Sequence, residues 1–175
     1  LILSFFGIFI SIFSLLCFDY LLRISPLKYI IYTIFTLSMS FILSIYSLYF
    51  NNNTVLTSII ITTGISLNLI LYAKITKDDF TTIGPYSLVI LMGIIFACFI
   101  NIFLENSILE LFIACIISVL FGFFVVYDIQ KIIGNKHIKH KFNNNDYILA
   151  AMSLYLDIVN IFLYILECMT YRNVE

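Results

Sequence analysis

Apolar residues run along this chain in long unbroken blocks rather than in alternation. Six blocks stand out, at about 1–19, 27–49, 54–74, 84–104, 107–132 and 146–169. Each is near the roughly 20 residues an α-helix needs to cross a bilayer, and none breaks into the short alternating segments of a transmembrane barrel. A backbone in lipid must satisfy its own polar groups, which leaves helices as the solution for such blocks. Short polar breaks separate them: Arg23 to Pro26, Asn51-Asn52-Asn53, Lys74 to Pro85, Glu105-Asn106, and Lys131 to Asn145. These breaks and their edges hold both prolines and most of the charge. The pattern predicts an all-α membrane protein, with residues 1–175 forming one domain of six transmembrane helices.

Composition agrees with that reading. The chain is 62% hydrophobic and 11% charged, with a mean hydropathy of +1.10. A soluble domain carries roughly 25% charged residues, so a water-facing surface is excluded and lipid is the expected partner. The net charge of -1 gives no electrostatic case for nucleic acid. Cys17, Cys98, Cys115 and Cys168 stand apart from one another in or beside apolar runs, without a CxxC pair. They read as small hydrophobes rather than as a zinc site or a disulfide framework.

The charged residues also predict a topology. The first break and its edge hold Arg23 and Lys28, the third Lys74 and Lys77, and the fifth Lys131, Lys136, Lys139 and Lys141, while the second and fourth hold no Lys or Arg. By the positive-inside rule the odd-numbered breaks are cytosolic and both visible ends lie on the far side. One more helix upstream of Leu1 would bring the N-terminus back to the cytosol and raise the count to seven. Loops this short cannot house a soluble domain, so any activity sits in the membrane or at its faces.

Two acidic residues fall inside helical blocks. Asp157 stands near the middle of the last one, where an acidic side chain costs roughly 2.5–3.5 kcal/mol to insert. Ser153, Asp157, Asn160, Tyr164 and Glu167 share one helical face and form a polar stripe. Such a stripe lines either a functional path or an interhelical hydrogen-bond seam. Asp128 follows a mostly apolar, charge-free run from Leu111 to Tyr127, close to Lys131. Either it snorkels to the cytosolic interface or, if the turn centres near residues 142–143, it faces Asp157 at similar depth. Two touching carboxylates cannot both ionise cheaply, and they share a proton that belongs to the pair. A dyad of this kind suits a proton sensor or a Ca²⁺ path, although two carboxylates fall short of the six to eight oxygens Ca²⁺ usually takes.

Other residues carry weaker signals. Arg23 ends the first block and reads as an interface anchor or a carboxylate partner, with Asp19 as its i, i+4 neighbour. Ala114, Ser118 and Gly122 form a small-residue stripe that permits close helix approach. His137 and His140, and Lys77-Asp78-Asp79, read as solvated loop residues. No catalytic or nucleotide-binding signature is present, so no enzyme activity and no cofactor are expected. Two membrane aspartates also suit an intramembrane aspartyl protease, but the Gly-rich setting of its second aspartate is not seen.

Several segments read in order resemble one known family. They are Val126-Tyr127-Asp128-Ile129-Gln130, Ile133-Gly134-Asn135-Lys136-His137, Asp146-Tyr147-Ile148-Leu149-Ala150-Ala151, and the run from Leu154 to Leu166. Earlier support comes from Pro26-Leu27-Lys28-Tyr29, Phe35-Thr36-Leu37, Leu71-Tyr72-Ala73 and Thr76-Lys77-Asp78-Asp79-Phe80-Thr81. The chain resembles the transmembrane Bax inhibitor motif family, in its lifeguard branch. The resemblance implies a seven-helix bundle around a central last helix, here without the first helix. It implies Ca²⁺ leak across an intracellular membrane, sensitivity to pH and suppression of cell death. By position it makes Asp128 and Asp157 the proton-sensing pair and Arg23 the latch. In a eukaryote it implies the endoplasmic reticulum or Golgi membrane, and death-pathway membrane proteins as partners.

The chain departs from the family pattern in places. Lys28 stands where many relatives have Asn, and Ser38-Met39-Ser40 follows Phe-Thr-Leu where many have an acid. The expected function is a pH-sensitive Ca²⁺ leak that dampens apoptosis. Its rivals are a non-conducting membrane protein acting through death-pathway partners, and a transporter with a carboxylate proton relay.

Overall fold

The computed structural model describes residues 26–134, 142 and 146–172. Among these residues the chain forms five long helices and one short 3-10 turn, without strands. The helices are α1 (Leu27–Ser47), α2 (Asn52–Ile75), α3 (Gly84–Leu104), α4 (Ser107–Ile133) and α5 (Tyr147–Arg172). The 3-10 turn, Phe80–Thr82, lies between α2 and α3. All five helices are long and apolar enough to cross a membrane. The sixth expected span, about 1–19, lies outside the described residues, as do Arg23, His137 and His140.

Local chemistry sets several boundaries. A proline sits in the first turn of α3, where its missing N–H costs nothing. Glu105 then ends α3 with φ 47° in the left-handed region, and its N–H donates to the Asn101 carbonyl at 2.8 Å. Asn106 starts α4 at once: its Oδ1 accepts from the N–H groups of Ile108 and Leu109 at 3.0 and 3.1 Å. That satisfies two of the donors a helix start leaves open. Gly134 ends α4 at φ 61°, a conformation open to a residue without a Cβ.

The described residues fall into two compact units. One holds α1 and the start of α5 up to Met152. There the Tyr29 and Tyr147 hydroxyls hydrogen-bond at 2.6 Å, and the Lys28 ammonium lies 4.5 Å from the Tyr147 ring centre. A cation over an aromatic face is attracted by the ring quadrupole.

The other unit holds α2, α3, α4 and α5 from Ser153 onward. Its core is Ala73 of α2, Val125, Val126 and Ile129 of α4, and Ile161 of α5. Helix α4 packs against α2, α3 and the 3-10 turn. On α2 the buried residues include Thr54, Ser58, Thr62 and Ser66, one every four positions. The Ser58 and Thr62 hydroxyls donate back to the carbonyls of Thr54 and Ser58, at 2.8 and 2.7 Å. Large residues such as Leu56, Ile60, Leu67 and Leu71 point outward. A soluble helix has the opposite arrangement. In lipid, apolar bulk gains nothing by turning inward, and small residues let backbones approach. Gly122 of the α4 small-residue stripe faces the Leu69 side chain of α2 at ordinary contact distance.

Candidate functional site

Helices α4 and α5 run antiparallel, and side-chain pairs along their length mark the seam. Cys115 meets Cys168 with sulfurs 3.5 Å apart. Phe121 stacks on Tyr164, with ring centres 6.4 Å apart and planes 15° from parallel. Asp128 and Asp157 bring their carboxyl groups into hydrogen-bonding contact. The aspartates are only 6% and 7% exposed. The Ser153 hydroxyl, one turn before Asp157, donates to Asp128. Lys131 lies close enough to act on Asp128, while Asp157 Oδ2 finds no hydrogen-bond partner among the described residues. Two carboxyls so placed cannot both ionise cheaply, and the pair can hold one proton between them.

The residues flanking Asp128 on α4 hold the loop between α2 and α3. Gln130 is 1% exposed. Its Nε2 donates to the Asp78 carbonyl at 2.8 Å, and its Oε1 accepts from the Phe80 N–H at 2.9 Å. Asp79 caps the 3-10 turn, its Oδ1 accepting from the Thr81 N–H at 3.0 Å. Lys77 and Asp78 are exposed, as a solvated loop requires, but the segment is also anchored to α4, which sequence spacing did not reveal. Tyr127 lies against Gly84: a Cβ on Gly84 would stand 2.5 Å from its ring. The Lys131 ammonium sits 4.9 Å from that ring's centre.

The predicted stripe on α5 divides in two. Ser153 and Asp157 face Asp128. Asn160 instead donates to the Leu156 carbonyl of its own helix at 2.8 Å. Beyond it, Glu167 meets a second acid, Glu110 of α4. Both line a cavity of about 400 Å³ that also touches Cys98, Asn101, Glu105 and Tyr164. Ten residues, or ~15 Å of helix, separate Asp157 from Glu167. Among the described residues, no three His, Cys, Asp or Glu side chains are placed to hold a metal ion.

Four features escaped the reading of the sequence: Gln130, Glu110, the thiol pair and the α2 hydroxyl row. Glu110 did leave a signal, since it lies one i, i+4 step before Ala114 in the small-residue stripe. The hydroxyl row is likewise legible as Ser or Thr at every fourth position of an apolar block. The other two depend on which helix faces which.

Comparison with known proteins adds a separate line of evidence. The family described as "inhibitor of apoptosis-promoting Bax1" matches residues 1–174. The chain is 34% identical over 145 residues to Protein LIFEGUARD 3 of Arabidopsis thaliana, covering 81% of this chain and 56% of that protein. It is 30% identical over 148 residues to the Golgi anti-apoptotic protein of vaccinia virus (strain Lister), covering 85% and 60%. Identity to Protein lifeguard 4 of Mus musculus is 32% over 142 residues, covering 81% and 57%. The chain thus spans between 56% and 60% of the length of these relatives.

Proposed function

The chain belongs to the Bax inhibitor family, in its lifeguard branch, and from that premise we propose that it dampens cell death through a proton-sensitive Ca²⁺ leak from an intracellular store. The contact between Asp128 and Asp157 carries this reading. Gain or loss of the shared proton changes the charge of the α4–α5 seam by one unit. A charge change at a packed seam biases a two-state arrangement of helices. Released from the proton, the same oxygens are hard ligands suited to a passing Ca²⁺. The name of the vaccinia relative, a Golgi anti-apoptotic protein, supports both protection from death and a Golgi membrane. The endoplasmic reticulum is the other store that fits.

The test is Ca²⁺ flux through the full-length natural protein in proteoliposomes across a pH series. Asp128→Asn and Asp157→Asn are each expected to flatten the pH dependence. If both leave flux and its pH response unchanged, the sensor role is wrong.

One observation favours a second reading. The vaccinia relative is named for protection from death. In that reading the aspartates only pack the seam, and the protein acts by binding membrane partners of the death pathway. An Asp157→Asn protein that conducts nothing yet still protects cells would support it.

A further inference from the structure

The thiols of Cys115 and Cys168 meet at 3.5 Å although 53 residues separate them in the chain. They come from facing antiparallel helices, and both are free. A disulfide needs its sulfurs at about 2.05 Å, so the bond requires the two sulfurs to approach by about 1.5 Å. Cys115 is exposed and Cys168 half-buried. Cys168 is in the last turns of the α5 span, which runs to Thr170. Beside it stands Glu167, which lines the cavity with Glu110, Asn101 and Tyr164. That end of the pair lies ~20 Å along α4 from Asp128. The Lys and Arg bias of the loops assigns it to the non-cytosolic side, and the lumen of the endoplasmic reticulum is an oxidising compartment.

We propose that Cys115 and Cys168 form a reversible intramolecular disulfide that ties α4 to α5 at the end opposite the aspartate pair. The oxidant is a low-molecular-weight disulfide or a dithiol–disulfide oxidoreductase of the non-cytosolic side. One cysteine thiolate attacks a sulfur of the oxidant, forming a mixed disulfide and expelling one thiolate. The second cysteine thiolate attacks the mixed disulfide at the protein sulfur, closing the Cys115–Cys168 bond and expelling the other thiolate. Two cysteine thiols are oxidised, the oxidant disulfide is reduced to two thiols, and the two cysteine protons pass to the departing thiolates. With the bond closed, any movement that parts Asp128 from Asp157 must hinge about the tied end. The inference stands on the thiol geometry and does not depend on Ca²⁺ conduction.

The experiment uses the full-length natural protein in membrane vesicles made permeable to the reagent. It is treated with oxidised glutathione, blocked with N-ethylmaleimide, digested without reduction and analysed by mass spectrometry. The expected result is a linked Cys115–Cys168 peptide, with loss of maleimide labelling at both residues and full recovery after dithiothreitol. Cys115→Ser and Cys168→Ser each abolish the linked peptide, while Cys98→Ser leaves it. Recovery of both cysteines as maleimide adducts from the unaltered protein would overturn the proposal. So would their linkage to Cys98 or between two copies of the chain.

Discussion

At the scale of single residues, α4 concentrates three tasks in four consecutive positions. Tyr127 fills the space that Gly84 leaves open, Asp128 meets Asp157, and Gln130 holds the loop before α3. Gln130 is the residue whose loss is read most directly. A leucine there fits the space but offers neither donor nor acceptor. The Phe80 N–H and the Asp78 carbonyl then lose their partner, at a cost of about 1–3 kcal/mol. Gln130→Leu is expected to lower the melting temperature in detergent and to speed hydrogen exchange at the Phe80 amide at least ~10-fold, the equivalent of about 1.4 kcal/mol. Unchanged exchange at Phe80 would mean that the loop keeps its shape without the clamp. Gly84 makes a complementary case. Gly84→Ala pushes a methyl group into the Tyr127 ring, an overpacking that costs about 1–3 kcal/mol. Truncating the ring with Tyr127→Ala removes that clash. The double variant should therefore lose less stability than the two single losses added together, whereas strict additivity would show that the two residues do not press on each other.

At the scale of elements, the five described helices were readable, and of their pairing only the facing of Asp128 and Asp157 was legible as one of two alternatives. The block read at 84–104 is α3, Gly84–Leu104, and the block at 107–132 corresponds to α4, Ser107–Ile133. Polar breaks and capping residues such as Asn106 and Gly134 mark such edges in one dimension. The polar stripe of α5 was also readable, because 3.6-residue periodicity survives in the sequence. Its division at Asn160 was not, because a back-bonding Asn and an outward-facing one have the same spacing. Glu110 and Gln130 gained their roles only when the rotation of α4 against its neighbours was fixed. In helices this uniformly apolar, periodicity is a weak guide to rotation. The same limit hid the thiol pair, since nothing in two separate apolar blocks says that Cys115 faces Cys168.

At the scale of the whole molecule, the topology read from the loop charges is open to direct measurement. Asp78 and Glu105 are both exposed and lie at successive breaks of the chain. In a cysteine-free background, Asp78→Cys should react with an impermeant maleimide from the cytosolic side and Glu105→Cys only from the opposite side. Labelling of both from one side would break the alternation on which the orientation rests. If the orientation holds, the anchored loop becomes a handle on the membrane interior. Lys77 and Asp78 stand in water, yet residues 78 and 80 are fastened to α4 two positions beyond Asp128. A cytosolic protein that grips this loop would also pull on the helical turn carrying the aspartate, without ever entering the bilayer.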